Sequence, residues 1–582
     1  MEPGTIEKLE FDFLRENIVG IDSTFNTPFG QRLMVYCDYT ASGRCLKFIE
    51  QYIMKLQRNY ANTHTEDDVT GRNMTQLLHQ AEQIIKESVN AGPHGRIISC
   101  GFGSTAAIHK FQQLIGVGLS PATGYMLDSI LGEYLARETV DKFEKFLSER
   151  QPVVFIGPYE HHSNEVTWRE GLATVVKIQL GIDGGLDLSH LKRMLKKPAY
   201  QNRLRIGSFS AASNVTGIIS PVREIAGLLH KHNALACFDY AASAPYVDID
   251  MNPSRDKDDA DPSLDAIFIS PHKFLGGPGS SGVLVFNERI YHKELAPSVG
   301  GGGTVDYVGP TQHDFVADIE AREKAGTPGV LQTMRAALTF QVKDAADIRK
   351  IEERERELLD RAFEKWKTNS NIDILGNQDP TRRVAIVSFN VKDPWGRYLH
   401  PKFITVLLND LFGIQSRAGC SCAGPYGHVL LAIDDDTSRQ YRKWVQKGYT
   451  GIKPGWCRVG FHYVMDDAEA EYIIKAVDFV GSYGFLFLPL YTFDLKSATW
   501  LHREDKGLVE KFSLNVALGY SGDDSNPLSS DIRTRLYQRY LKEAAGLSEK
   551  LKRQAPQSTI VMEGELGKLQ FFSLLGDRPS RG

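Results

Sequence analysis

The chain has 582 residues, 42% of them hydrophobic, with a formal net charge of -4 at pH 7, which suits sizeable packed cores divided over more than one domain. So small a charge on so long a chain, with no basic stripe, gives no electrostatic ground for a nucleic-acid partner or an anionic membrane surface. Seven cysteines form an odd, sparse set that fits reduced thiols better than a disulfide framework.

In chain order, residues 1–20 mix acids with apolar residues and lack the basic start and apolar core of a secretory leader. Short apolar, β-branched runs then alternate with amphipathic stretches: Arg96 to Ser99, Val153 to Ile156, Thr174 to Ile178, Arg205 to Phe209, Ala234 to Phe238, Ala266 to Ser270 and Gly282 to Phe286. This alternation predicts an α/β fold with seven strands in a sheet covered by helices on both faces. The polar stretch Asp250 to Pro262 reads as a surface loop. Past Pro328 a long charged helix is predicted around Ala337 to Trp366. Strands follow at Val384 to Phe389, in the segment ending at Arg417 and at Cys457 to Phe461, as expected of a smaller α/β domain. Asp466 or Asp467 is placed to cap a helix over Ala468 to Val480. The apolar segment Phe485 to Leu490 is far shorter than the roughly 20 residues that span a bilayer, so a soluble, cytoplasmic protein without a membrane partner is expected. Arg533 to Lys552 is predicted helical.

Six places along the chain carry residue types suited to chemistry. Gly103-Ser104-Thr105-Ala106, ahead of a helical stretch Ala107 to Ile115, offers backbone amides and hydroxyls for an anion at a helix N-terminus, or an ordinary cap. Glu160-His161-His162-Ser163-Asn164 follows a strand; a metal is not expected there, because adjacent side chains diverge and no third ligand has suitable spacing. Asn214 precedes Gly217 in a turn-like stretch. Asp239 closes an apolar run, as a helix cap would or as a functional carboxylate would. Lys273 stands at the mouth of the run Ala266 to Ser270, beside Gly276-Gly277-Pro278-Gly279. That placement suits an amine able to bond covalently to a cofactor aldehyde. In open α/β sheets ligands sit outside the carboxyl ends of the strands, so Asp239 and Lys273 are expected to face one crevice. Last comes Arg417-Ala418-Gly419-Cys420-Ser421-Cys422-Ala423-Gly424, a guanidinium followed by two thiols on a glycine-rich loop. Those cysteines fit a mobile nucleophile, small packing residues or half of a metal site with His428. Their spacing also allows a persulfide on one to be resolved as a disulfide with the other.

Taken together with Asp38-Tyr39-Thr40-Ala41-Ser42-Gly43, Ser213-Asn214-Val215-Thr216-Gly217, Gly301-Gly302-Gly303-Thr304 and Ala325-Gly326-Thr327-Pro328, these motifs fall in the order of the class V aminotransferase family of pyridoxal 5'-phosphate (PLP) enzymes. The chain resembles that family, and within it the cysteine desulfurase and selenocysteine lyase group, from about residue 35 to about residue 480. The resemblance implies a fold-type I PLP-dependent transferase. Its expected parts are an N-terminal segment 1–34, a PLP-binding large domain 35–335 with a seven-stranded mixed sheet, a small domain 336–490 carrying the cysteine loop, and an extension 491–582 of unassigned role.

The resemblance assigns Lys273 to the cofactor aldehyde and Asp239 to the ring nitrogen. It assigns His161 to stacking on the ring and proton transfer, and Asn214 to the ring hydroxyl and the substrate carboxylate. Ser104, Thr105, Ser270 and His272 would serve the phosphate, joined by Thr304 from the other subunit of a homodimer with shared sites. Arg417 would grip the substrate carboxylate, and counting from it places the catalytic thiol at Cys422. The activity implied is conversion of L-cysteine to L-alanine with sulfur passing to Cys422 as a persulfide and on to an acceptor protein. Another class V reaction on an amino acid, transamination or C-S β-elimination, and an inactive member serving as a binding protein are the alternatives. Ala242 stands where a hydrogen-bonding residue is usual, and Tyr39 where asparagine is common, which leaves the substrate side less defined than the cofactor side.

Overall fold

A computed structural model describes residues 8–63, 65, 67–254, 260–505, 528–554 and 562–575. The chain divides into two compact units, one formed by Thr40 to Glu352 with the residues up to Leu9, the other by Glu10 to Tyr39 with the chain from Glu353 onward.

The larger unit is built on a seven-stranded sheet, and all seven predicted strands are in it: Gly95–Cys100 (β1), Val153–Ile156 (β2), Thr174–Lys177 (β3), Arg205–Ser210 (β4), Leu235–Asp239 (β5), Ala266–Ile269 (β6) and Gly282–Asn287 (β7). Their order is β1-β7-β6-β5-β4-β2-β3. Neighbours from β6 to β3 are parallel, and β7 runs antiparallel to both β6 and β1, so the sheet is mixed as expected. Strands β2, β4 and β6 are buried along their whole length, and β2 and β6 accordingly read as continuous apolar runs rather than alternating ones. Because β1, β2, β4, β5 and β6 all run the same way, the segments after their last residues gather at one edge of the sheet. Those segments contain Gly103, His161, Asn214 and Lys273, and Asp239 is the last residue of β5.

The helix Gly103–Leu114 lies on this sheet through Phe111, which is fully buried against Phe268 of β6 and Trp168. Burial of such a ring stabilises by about 2–3 kcal/mol, enough to fix the helix N-terminus relative to the ends of β5 and β6. Two further helices, Pro121–Tyr134 and Arg137–Arg150, bury only Val140 between them. They follow no motif, and no reading of the sequence above anticipates them. Of the expected loop Asp250 to Pro262, residues 255–259 lie outside the described residues; the rest forms neither helix nor strand.

The predicted helix Ala337 to Trp366 is two helices, Val330–Ala345 and Ile348–Trp366. Asp347 between them has φ of +66°, a left-handed conformation that no helix interior tolerates. The two compact units divide at Glu352, inside the second helix.

The smaller unit contains a four-stranded antiparallel sheet in the order Ile372–Ile374, Ile386–Val391, Trp456–Gly460, Arg417–Gly419. Arg417 begins a strand instead of ending one. Asp466 caps the helix Asp467–Tyr483, its carboxylate accepting from the Glu469 amide at 2.8 Å. With the turn Gly484–Leu490 this makes a stretch long and apolar enough to cross a membrane, but most of it is buried inside the unit, as in a core helix.

Glu10 to Tyr39 and the described residues of the extension 491–582 belong to this unit. Tyr537 of the helix Ser530–Lys552 stacks on Tyr472 with ring centroids 4.3 Å apart. Arg15 and Arg533 pair with Glu469 and Asp466, and Arg32 lies 4.6 Å over the Tyr540 ring. Tyr537 and Tyr540 are nearly fully buried, so this C-terminal helix is part of the core.

Candidate active site

Lys273 ends a short turn, Pro271–Lys273, that Ser270 starts directly after β6. The turn is held from the motif Asp38 to Gly43: the Gly43 amide donates to the His272 carbonyl at 2.9 Å and the Ser42 hydroxyl donates to the same carbonyl at 3.2 Å. A side chain at residue 43 would meet the Phe274 carbonyl at 1.9 Å, so glycine is required by close approach there. Lys273 is half-buried.

Asp239 ends β5 and is 4% exposed. Its carboxylate accepts from the Ala241 amide at 2.9 Å. Burial pushes its pKa up, and the Ala241 amide, the Lys273 ammonium and the Ser104 hydroxyl oppose that rise. The Asp239 carboxylate therefore lies within electrostatic reach of the Lys273 ammonium.

The helix Gly103–Leu114 starts four residues earlier than predicted, so Gly103, Ser104 and Thr105 are its first turn. The Ser104 amide donates to the Ser270 hydroxyl at 2.8 Å. Gly103 has φ of +59°, and a β-carbon there would sit 2.9 Å from Ser270 Oγ and 3.3 Å from His272 Nε2. This is a cradle shaped by absent side chains, with a twelve-residue helix behind it and two hydroxyls and an imidazole beside it. Burial and the neighbouring Lys273 charge lower the His272 pKa to about 4, so its ring is neutral near pH 7. Such a cradle fits a phosphate, and with Asp239 and Lys273 alongside, the residues fit PLP.

Glycine at 103 gives a direct test. Alanine there must occupy a left-handed conformation costing about 1–3 kcal/mol and crowd Ser270. Gly103→Ala is expected to weaken PLP retention roughly tenfold or more, measured by titrating apoprotein with PLP.

His161 follows β2 and its Nδ1 lies 3.0 Å from the Ser163 hydroxyl, which in turn lies 2.6 Å from Thr105 Oγ1. One serine thus links the ring predicted to stack on the cofactor to the helix predicted to bind its phosphate. Asn214 is nearly buried in the turn after β4. Thr304 is buried with its hydroxyl donating to the Gly301 carbonyl at 2.8 Å. It is held in its own loop, beside the exposed hairpin strands Val305–Val308 and His313–Phe315.

One residue of this site received no role from the sequence. Glu160 is 1% exposed and accepts four hydrogen bonds, from the amides of Gly157 and Ser210 at 3.0 Å, the Ser210 hydroxyl at 2.7 Å and Asn164 Nδ2 at 2.7 Å. It ties the loop bearing His161 to the end of β4. Its place directly before His161 in a motif was the available signal. Burial pushes its pKa up from 4.5 to about 7, although Ser210 and Asn164 oppose the rise.

Between those two values the folded chain keeps a proton that the unfolded chain has lost. Glu160 therefore stabilises the fold most at low pH, and its contribution falls by roughly 3 kcal/mol as pH rises through that window. Urea denaturation near pH 5 and near pH 8 is expected to show a smaller loss of stability for Glu160→Gln than for the wild type. An equal loss would contradict the assignment.

The smaller unit holds the second set of residues. Arg417 is about half exposed; its Nε donates to Asp38 at 2.9 Å, and Asp38 also accepts from Arg458 Nη2 at 3.0 Å. The guanidinium predicted to bind substrate is thus held by the first residue of another motif, a pairing that spacing along the chain did not reveal. Beyond the strand Arg417–Gly419, the Ala423 amide donates to the Cys420 carbonyl at 2.9 Å, closing a tight turn. The two central residues, Ser421 and Cys422, have φ of +50° and +55°, values that favour asparagine or glycine. Trp456 Nε1 donates to Ser421 Oγ at 3.1 Å and steadies the turn. Cys422 at its tip is exposed, and Cys420 at its base is partly covered. Among the described residues no group of three or more histidine, cysteine or acidic side chains is arranged to hold a metal ion.

A mixed seven-stranded α/β sheet with a lysine, a buried aspartate and a phosphate cradle at one edge defines a fold-type I PLP-dependent enzyme. The aminotransferase class-V family model matches residues 141–473, more than half of the chain, and the chain belongs to that family. A probable cysteine desulfurase of Staphylococcus epidermidis is 30% identical over 401 residues, covering 67% of this chain and 84% of that protein. One of Halalkalibacterium halodurans is 28% identical over 276 residues, covering 47% of this chain and 62% of that protein. Among solved structures, the apo cysteine desulfurase of Thermococcus onnurineus superposes with a TM-score of 0.58 at 20% identity, over 76% of this chain and 94% of that one, which supports the fold.

Proposed function

We propose that this enzyme is a cysteine desulfurase, converting L-cysteine to L-alanine while Cys422 takes the sulfur as a persulfide. The observation that carries the reading is the exposed thiol of Cys422 at the tip of a left-handed turn, five residues after a guanidinium steadied by Asp38. The names of the relatives reported above support it.

PLP, when bound, supplies an electron sink for charge developing at the substrate α-carbon. The protein's own groups do the rest. Asp239, buried and within electrostatic reach of Lys273, would hold a proton on the ring nitrogen. Lys273 would hold the cofactor aldehyde and would take the α-proton of the substrate. The Nη edge of Arg417 grips the α-carboxylate by parallel hydrogen bonds, aided by Asn214. His161, oriented through Ser163, exchanges a proton with the substrate thiol. The Cys422 thiolate attacks the substrate sulfur; the new S-S bond forms as the C-S bond breaks, and the carbon fragment leaves as alanine after taking up protons.

A homodimer in which the loop of Thr304 serves the partner's phosphate belongs to this proposal, and the exposed Tyr307 and Val308 on the adjoining hairpin suit a protein interface. So do a cytoplasmic location and an acceptor protein for the sulfur. The test is product identity from L-cysteine: alanine with one persulfide equivalent supports the reading, whereas pyruvate with free sulfide, or a keto acid with aminated cofactor, replaces it by elimination or transamination.

A further inference from the structure

The turn Cys420 to Ala423 presents its two thiols to different surroundings. Cys422 is exposed at the tip. Cys420 lines a cavity of about 200 Å³, walled by Leu431, Ile433, Val445 and Trp456, with Arg442 and Lys453 also at its wall. His428 borders the same cavity, held by the Gly424 carbonyl at Nδ1 and the Ser438 hydroxyl at Nε2, both at 2.8 Å. Gly419, with φ of +127°, ends the strand at the base of the turn. An apolar cavity of this size suits a sulfur atom added to a cysteine, and the two cationic side chains favour that sulfur as an anion.

We propose that Cys420 is a second sulfur carrier: it takes the outer sulfur from the Cys422 persulfide and holds it in this cavity. This inference rests on the desulfurase reading. In the step, the Cys420 thiolate attacks the outer sulfur of Cys422-S-SH. A new S-S bond forms at Cys420 as the old one breaks, and its electron pair stays on Cys422 as a thiolate. One persulfide is lost and one gained, so no oxidant or reductant is consumed. Cys422 is thereby returned to its starting state and is ready for a second substrate before any acceptor arrives. The exposed position serves sulfur abstraction, and the covered one slows loss of the persulfide to water and stray thiols.

The test is the burst of alanine when the PLP-loaded enzyme meets L-cysteine without an acceptor thiol. The wild type is expected to release about two alanines per chain in the fast phase, Cys420→Ser about one and Cys422→Ala none. Tandem mass spectrometry of the wild type, after alkylation, is expected to find persulfide on both cysteines. A burst in Cys420→Ser equal to that of the wild type, or persulfide on Cys422 alone in the wild type, overturns the second carrier and leaves the desulfurase reading standing. A wild type that forms no alanine overturns both.

Discussion

Lys273→Ala is expected to lose turnover and the visible band of bound PLP together, with a rate loss of about a thousandfold or more. The size follows from two jobs resting on one amine, covalent attachment of the aldehyde and proton transfer at the α-carbon, the second alone contributing about 10²–10⁴-fold. The neighbouring His272 is neutral near pH 7 and placed toward the cradle of Gly103, so it does not replace the amine. Lys273 is half-buried at the end of a turn fixed by Ser42 and Gly43, so alanine leaves the backbone contacts intact. Circular dichroism and thermal unfolding of the apoproteins are expected to match. A Lys273→Ala protein that turned over at the wild-type rate would remove the basis of the scheme.

Cys422→Ala separates cofactor chemistry from sulfur abstraction. The variant is expected to keep PLP and its visible band, because the cradle, Asp239 and Lys273 all belong to the larger unit. Alanine production is expected to fall to background, a loss of about a thousandfold or more, because no thiolate remains at the turn tip to take the sulfur. The exposed thiol contributes little packing, and alanine accepts the left-handed conformation no worse than cysteine does, so stability is expected to change by less than about 0.5 kcal/mol. Stopped-time assays of alanine, with mass spectrometry of residue 420 in the same samples, measure the effect. Unchanged alanine formation would assign the chain to a reaction that needs no enzyme thiol.

The centre of the large sheet was legible in the sequence because strands there are buried on both faces. A run such as Val153 to Ile156 or Ala266 to Ile269 has no alternation to misread, and each ends at a residue of different chemistry. The same property made Asp239 and Lys273 readable, since a carboxylate and an amine after such runs stand at the strands' carboxyl edge. The break at Asp347 was not readable, because a charged residue between two helix-forming stretches carries no signal of its φ. Pairings distant along the chain were equally hidden. Asp38 meets Arg417 across 379 positions, and Tyr537 stacks on Tyr472 from a segment that carried no motif. Glu160 was visible as a motif residue, but its burial and its four donors follow from how β2 and β4 lie side by side.

The most direct measurement of the central claim is the absorption spectrum of the purified protein before and after L-cysteine, with alanine and sulfide quantified in the same cuvette for the wild type and Cys422→Ala. A PLP band in both proteins, perturbed by L-cysteine in both, with alanine formed only by the wild type, is the predicted result. A PLP band with alanine or pyruvate produced equally by the two proteins would contradict it.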